Sequence, residues 1–179
     1  MTAATSTAEL TAGTWGIDPL HSSLGFAVRH LLVGKVRGTF ESFSGAITIA
    51  DDGTPSVTAE IAVASLHSGN EQRDAHVKAP DFFDVEQYPT ATFVSTGVRP
   101  NGEKYLVDGE FTLKGVTKPV SLDLEFNGVS PGMGHGEVAG FEASIVLNRN
   151  DFGVGTEIPS GMVGEKVTIT IEIEGLKQA

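Results

Sequence analysis

The sequence predicts an all-β fold: an antiparallel sheet of about eight strands, closed into a barrel and broken once by a short helix around residues 70–78. Three observations carry this prediction. Segment after segment alternates apolar and polar residues with period two, and most of these segments are joined by hairpin-length turns. The strands are also long, apolar along one continuous face, and hold Gly25, Gly38, Gly45 and Gly109 inside them. A sheet of this kind has to close or double, because open edges template aggregation. Glycines inside long strands favour a coiled barrel over a flat sandwich.

The first strand pair falls within residues 15–50. Leu24, Phe26, Val28 and His30 share one face, so His30 points inward if Phe26 does. Val36, Gly38 and Phe40 continue the alternation, which then slips by one so that Phe43, Gly45, Ile47 and Ile49 take over the apolar side. A β-bulge near Glu41–Ser42 accounts for the slip. Asp51-Asp52-Gly53 with Pro55 turns the chain, and Val57, Ala59, Ile61 and Val63 form the next strand. After Pro89 the pattern resumes with Ala91 and Phe93, and Arg99-Pro100-Asn101-Gly102 is a hairpin signal. Tyr105, Val107, Gly109, Phe111 and Leu113 share the return face, and Gly115 turns the chain into Val120, Leu122, Leu124 and Phe126. A Gly-rich loop over residues 128–136 precedes the strand of Phe141, Ala143, Ile145 and Leu147. An irregular stretch over 154–164 precedes the last strand, Val167, Ile169, Ile171 and Ile173.

One stretch, residues 65–93, breaks the β pattern. Asn70 is an N-cap, Glu71 sits in the first turn, and Asp74 precedes Lys78 by four residues in the favourable acid-before-base order. Pro80 disfavours helix at Ala79, which confines the helix to about Glu71–Lys78. A helix this short needs tertiary support, and Phe82 and Phe83 are its expected anchors. Arg73, Asp74 and His76 put a cation, an anion and a titratable ring within one turn. That grouping reads either as a site or as a capping network, with the capping network favoured.

Composition bounds the rest. At 179 residues the chain fits one domain, expected as a disordered tail over 1–13 and a single barrel over 14–179. It has no cysteine, which excludes disulfides, thiol chemistry and Cys-based metal sites. With 12 basic and 23 acidic residues the net charge is −11, which repels nucleic acid and an anionic membrane surface alike. No stretch is apolar for the roughly 20 residues that an integral membrane segment requires. Residues 1–13 hold neither Lys or Arg nor an apolar run, so a cytoplasmic protein without a signal peptide is expected.

Local motifs for chemistry are sparse. The five histidines, His21, His30, His67, His76 and His135, never pair at a metal-ligand spacing, and no metal site or cofactor is expected. No GxSxG context surrounds a serine, and the Gly-rich loop lacks the Lys-Ser/Thr and following helix of a phosphate loop. No catalytic residue is assigned.

Several motifs, read together, resemble the YceI family. They are Trp15-Gly16-Ile17-Asp18-Pro19 with His21-Ser22; Phe26-x-Val28-x-His30; Ser68-Gly69-Asn70 with Arg73-Asp74-x-His76; Asp81-Phe82-Phe83-Asp84 with Tyr88-Pro89; Leu113-x-Gly115-Val116-Thr117-x-Pro119-Val120; and Arg149-x-Asp151-Phe152-Gly153. The resemblance runs from Trp15 to Gly175 in order. It implies a lipocalin-like barrel holding an isoprenoid lipid, such as an isoprenoid quinone or a polyprenyl phosphate, for sequestration, transport or storage. Family members often form homodimers, and many are exported with a signal peptide that this chain does not show. The family's Thr-Gly-Asn reads Ser68-Gly69-Asn70 here, which leaves the cap intact.

On this reading the ligand-binding wall comprises Phe26, Val28, His30, Phe40, Phe43, Ile61, Phe93, Phe111, Leu122, Leu124, Phe126 and Ile169. Asn70, Arg73, Asp74 and His76 hold a lid across one end. Two competing readings are an isomerase or hydrolase of a hydrophobic substrate in the same cavity, and a stress-related interaction protein. The enzyme needs two titratable groups facing one cavity, and the sequence places only His30 inside.

Overall fold

A computed structural model describes residues 10–179. Its strands, in chain order, are β1 (Gly13–Ile17), β2 (Ser23–His30), β3 (Gly34–Phe40), β4 (Phe43–Ile49), β5 (Pro55–Ala62) and β6 (Leu66–His67). The helix α1 (Glu71–Val77) follows, and then β7 (Thr90–Asn101), β8 (Lys104–Leu113), β9 (Val116–Ser130), β10 (Val138–Asn148) and β11 (Val163–Lys177). All the strands join one antiparallel sheet, and β11 returns to pair with β1 and β2, which closes the ring. Counting β1 with β2 and β3 with β4 as single bent strands leaves eight staves in chain order, with β6 as a two-residue addition.

Both bends are bridged by hydrogen bonds. At Glu41–Ser42, where the alternation slips, Ser65 takes over the pairing. Its carbonyl accepts from the Glu41 N–H at 3.2 Å and its hydroxyl from the Ser42 N–H at 3.0 Å. Between β1 and β2 the Asp18 N–H donates to the Glu174 carbonyl at 2.8 Å, and the Ser22 hydroxyl accepts from the Glu174 N–H at 3.0 Å. The N–H groups of Asp18, Glu41, Ser42 and Glu174 thus keep partners where the ladder breaks.

Glycine shapes the wall where aromatic rings cross it. A Cβ on Gly38 would meet the ring of Phe26, its register partner, at 2.5 Å, and one on Gly109 would likewise run into the Phe93 ring. Each ring lies over bare backbone on the neighbouring strand, the arrangement by which glycine lets a sheet coil tightly.

Side chains pack one end of the barrel. Trp15, fully buried, meets Leu10, Ile49, Phe126, Ala139 and Phe141, and the Phe126 and Phe141 ring centroids are 5.2 Å apart. Leu10 is thus part of the core, so the expected tail over 1–13 differs at its C-terminal end: burial fixes Leu10, and β1 starts at Gly13. The remainder of that expected tail, residues 1–9, lies outside the described residues. The Gly-rich loop is also shorter than expected. Gly128 lies within β9 and pairs with Gly140 of β10, because ladder hydrogen bonds need no side chain.

Candidate ligand-binding site

The barrel encloses a cavity of about 520 Å³. Inward positions of every long strand line it, as the period-two faces require. They include Phe26 and Val28 of β2, Phe40 of β3, Phe43 of β4, Ile61 of β5, Phe93 of β7, Phe111 of β8, Leu122 and Leu124 of β9, and Ile169 of β11. All of these belong to the wall read from the sequence. Phe126 does not reach the cavity. It stacks behind Phe141, which is the ring that faces the space, and it fills the packed end. His30 borders the cavity but is solvent-exposed, because its position at the end of β2 puts it at the rim rather than in the interior.

The charged groups on the lining gather at that same rim: Arg29, His30, Arg73, Asp74, His76 and Arg149. Arg29, His30, Arg73, His76 and Met162 are also exposed, so the mouth lies between the β2–β3 hairpin, the segment before β11 and α1. The rest of the wall is almost entirely aliphatic and aromatic.

α1 is held there by the capping network. The Asn70 side chain accepts from the Arg73 N–H at 2.9 Å, and Asn70 itself stays off the cavity wall. The Arg73 guanidinium donates to the Ser68 hydroxyl and carbonyl, both at 2.8 Å. Asp74 is buried and accepts from both the N–H and the hydroxyl of Ser68. Burial pushes its carboxyl up, but the Ser68 hydrogen bonds, with His67 and Lys78 nearby, outweigh that and hold it below the ordinary range. His76 lies 3.2 Å from Asp81 and stands edge-on to Phe82 at 5.1 Å.

Aromatic contacts dock this helix and the turn that follows it. Phe83 meets Phe40 edge-on at 6.3 Å, and Phe40 meets Phe26 at 5.7 Å. Phe82 packs with Phe152 and Val154, and Phe152 stands edge-on to Phe111 at 5.5 Å.

Arg149 is the residue that sequence reading left without a role. Its guanidinium is buried and donates to the carbonyls of Val154 at 3.1 Å, Ile158 at 3.0 Å, Val163 at 2.9 Å and Gly164 at 3.0 Å, and also to that of Gly155. Among the described residues no carboxylate forms an ion pair with it. One cation thus gathers the irregular 153–164 segment into the second half of the rim. Lys114 ties the two halves together by donating to Pro80 and Gly153 carbonyls, both at 3.0 Å. The available signal was an arginine at a strand end ahead of a long stretch without secondary structure.

Away from the cavity, Asp18, His21 and Glu174 offer ligand-type atoms within 4.8 Å of one another. Histidine spacing misses this group because it joins the end of β1 to β11. The contact between His21 Nδ1 and Asp18 at 2.7 Å raises the imidazole pKa and lowers that of the carboxyl.

A closed eight-stranded up-and-down barrel, with an apolar cavity and its charges confined to one mouth, defines a lipocalin-like ligand-binding barrel. The particular kind follows from comparison with known proteins: the YceI-like domain pattern matches residues 15–175, and the chain belongs to that family. It is 38% identical over 161 residues to a UPF0312 protein of Photorhabdus laumondii, covering 88% of this chain and 82% of the relative. It is 34% identical to the YceI protein of Escherichia coli O157:H7, covering 88% and 83%. Among solved structures, BcnA of Burkholderia cenocepacia superposes with a TM-score of 0.78 at 28% identity, covering 88% of this chain and 98% of BcnA. A polyisoprenoid binding domain from Saccharophagus degradans shares the fold, with a TM-score of 0.73 at 17% identity, covering 92% and 98%.

Proposed function

We propose that this protein binds an isoprenoid lipid, with the prenyl tail in the barrel and the quinone or phosphate head at the rim beside His30, Arg73 and His76. The observation that carries the reading is the separation of character along the cavity: an aliphatic and aromatic wall throughout, and charge at one mouth only. An amphiphile with a long apolar tail and one polar end matches that profile. At 520 Å³ the cavity falls in the range of small-molecule sites, roughly 300–1,000 Å³. Tail burial at about 25 cal/mol per Å² supplies the affinity without a buried ion pair. The resemblance to the YceI family and the fold shared with a polyisoprenoid binding domain from Saccharophagus degradans support the same class of ligand.

The protein on this reading is a carrier or store, and its rim groups hold a lid rather than perform chemistry. Asp74 and Arg73 are each committed to Ser68, which leaves neither placed to move a proton on a substrate.

The test is native mass spectrometry and organic extraction of the purified protein, followed by thermal melts with farnesyl phosphate and a short-chain ubiquinone. Ala143 faces the cavity from the middle of β10. Ala143→Phe fills existing space, so its melting temperature should stay close to wild type while uptake of either lipid weakens at least about tenfold. Absence of co-purified lipid, together with no melting shift from either added lipid, sinks the reading.

A further inference from the structure

The net charge of −11 is unevenly spread, and the exception lies beside the mouth. From Pro19 to Phe40 the chain has no acidic residue, yet it carries Arg29, Lys35 and Arg37 as well as His21 and His30. Arg29 and Lys35 are direct cross-strand partners on the outer face of the β2–β3 hairpin, with Arg37, opposite Ala27, two pairs further along on the same face. Like charges placed opposite each other destabilise a ladder. Among the described residues, none of the three forms an ion pair. In the adjoining strand β11, exposed Glu165 is followed directly by exposed Lys166, so these two offset each other.

The tip of this basic hairpin is apolar. Leu31, Leu32 and Val33 are 54%, 71% and 87% exposed, and Met162, whose carbonyl accepts from the Leu31 N–H at 3.0 Å, is 52% exposed. Leu31 and Leu32 both have left-handed backbone, at φ 50° and 64°. Consecutive positive φ angles in a hairpin tip are where Asn-Gly sits without strain, whereas a leucine there is strained by its Cβ. Neither the core nor the turn accounts for these two leucines.

The geometry points to a membrane-docking tip: Leu31, Leu32 and Val33 enter the interfacial layer of a bilayer, and Arg29, Lys35 and Arg37 lie against anionic headgroups. The occupant is an anionic lipid surface because apolar and basic character alternate within nine residues of one hairpin, the composition that interfacial anchors use. The mouth, with His30 and Met162 on its border, then faces the lipid phase. Docking is independent of what the cavity holds, since vesicle binding reports the one and lipid uptake the other.

Cosedimentation with phosphatidylcholine vesicles, with and without phosphatidylglycerol, tests this. Wild type should bind the anionic vesicles, bind neutral ones weakly, and release as salt shortens the screening length. Leu31→Asn/Leu32→Gly removes the apolar tip and relieves the strain. It should keep or raise the melting temperature, leave lipid uptake from solution unchanged, and lose at least about tenfold in vesicle partitioning. Lys35→Glu/Arg37→Glu should lose a similar factor on anionic vesicles only. The proposal is overturned if wild type ignores anionic vesicles, or if both variants bind them like wild type. It is equally overturned if sedimentation velocity shows a dimer that Leu31→Asn/Leu32→Gly dissolves, because the tip would then serve a second copy of the chain.

Discussion

The two ends of the barrel are sealed by opposite means. At the packed end Trp15, Phe126 and Phe141 interlock as apolar solids, and opening it would expose all of them at once. At the mouth the rim is assembled largely from hydrogen bonds to main-chain carbonyls: Arg149 on the 153–164 segment, Lys114 on Pro80 and Gly153, and Arg73 on Ser68. Such bonds contribute about 1 kcal/mol each, whereas a buried aromatic contributes several, so the hold on the rim is divided among many small contributions. The proposed lipid carrier would need this asymmetry, a permanent floor and a rim that can give way, to admit its ligand without losing the fold.

Substitutions at the two ends should separate these roles. Trp15→Ala leaves a large void in a fully buried site and should lower the unfolding free energy by about 3–5 kcal/mol in urea denaturation. Its effect on the transfer rate of a fluorescent prenyl lipid should be small wherever the protein is folded. Arg149→Leu should cost a comparable amount, about 3–5 kcal/mol, because it strands several buried carbonyls, yet unlike Trp15→Ala it should raise that transfer rate several-fold by freeing one rim segment. Arg149→Lys should restore little, since an ammonium cannot span the same set of acceptors. If Arg149→Leu left the transfer rate unchanged, the division into floor and rim would fail. Asn70→Ala should cost about 1 kcal/mol and speed transfer more modestly, through α1 alone.

The smallest effect is in pH. His21 is raised by Asp18, so its contribution at the β1–β2 bend is complete below its ordinary pKa near 6.5 and lost as pH rises through the higher folded value. Asp74 is lowered, so α1 keeps its contribution above about 3.8 and loses it as pH falls through the folded value. Amide exchange should therefore loosen the bend on the alkaline side while α1 stays protected, and His21→Ala should abolish that alkaline change.

The sequence made the wall legible because period two fixes which face of a strand a side chain takes. It does not fix the height of that side chain along the barrel axis. His30 has the inward parity expected of it and still lies at the rim, and Phe126 continues the face of Leu122 and Leu124 into the packed end. The cap of α1 was legible because Asn70 and Arg73 are local to one another. Arg149 was not, since its acceptors are carbonyls 5 to 15 residues downstream that carry no side-chain signature. The slip at Glu41–Ser42 was visible as a change of phase, but the part played there by Ser65 depends on a contact 23 residues away. Leu10 looked like tail because its neighbours are polar and small, and only the floor it completes reveals its burial.

The seam where β11 meets β1 sets a timetable for biosynthesis. Trp15 pairs with Lys177, and Ile17 with Gly175, so no part of that joint can form until residues 163–177 have left the ribosome. Until then the nascent chain is an open sheet with two free edges and a bare apolar face, a state exposed to aggregation and slow to resolve because the closing contacts are so distant in sequence. The same interval is the widest the barrel will ever stand open, so under the proposed lipid-binding function it is also when the cavity is easiest to fill.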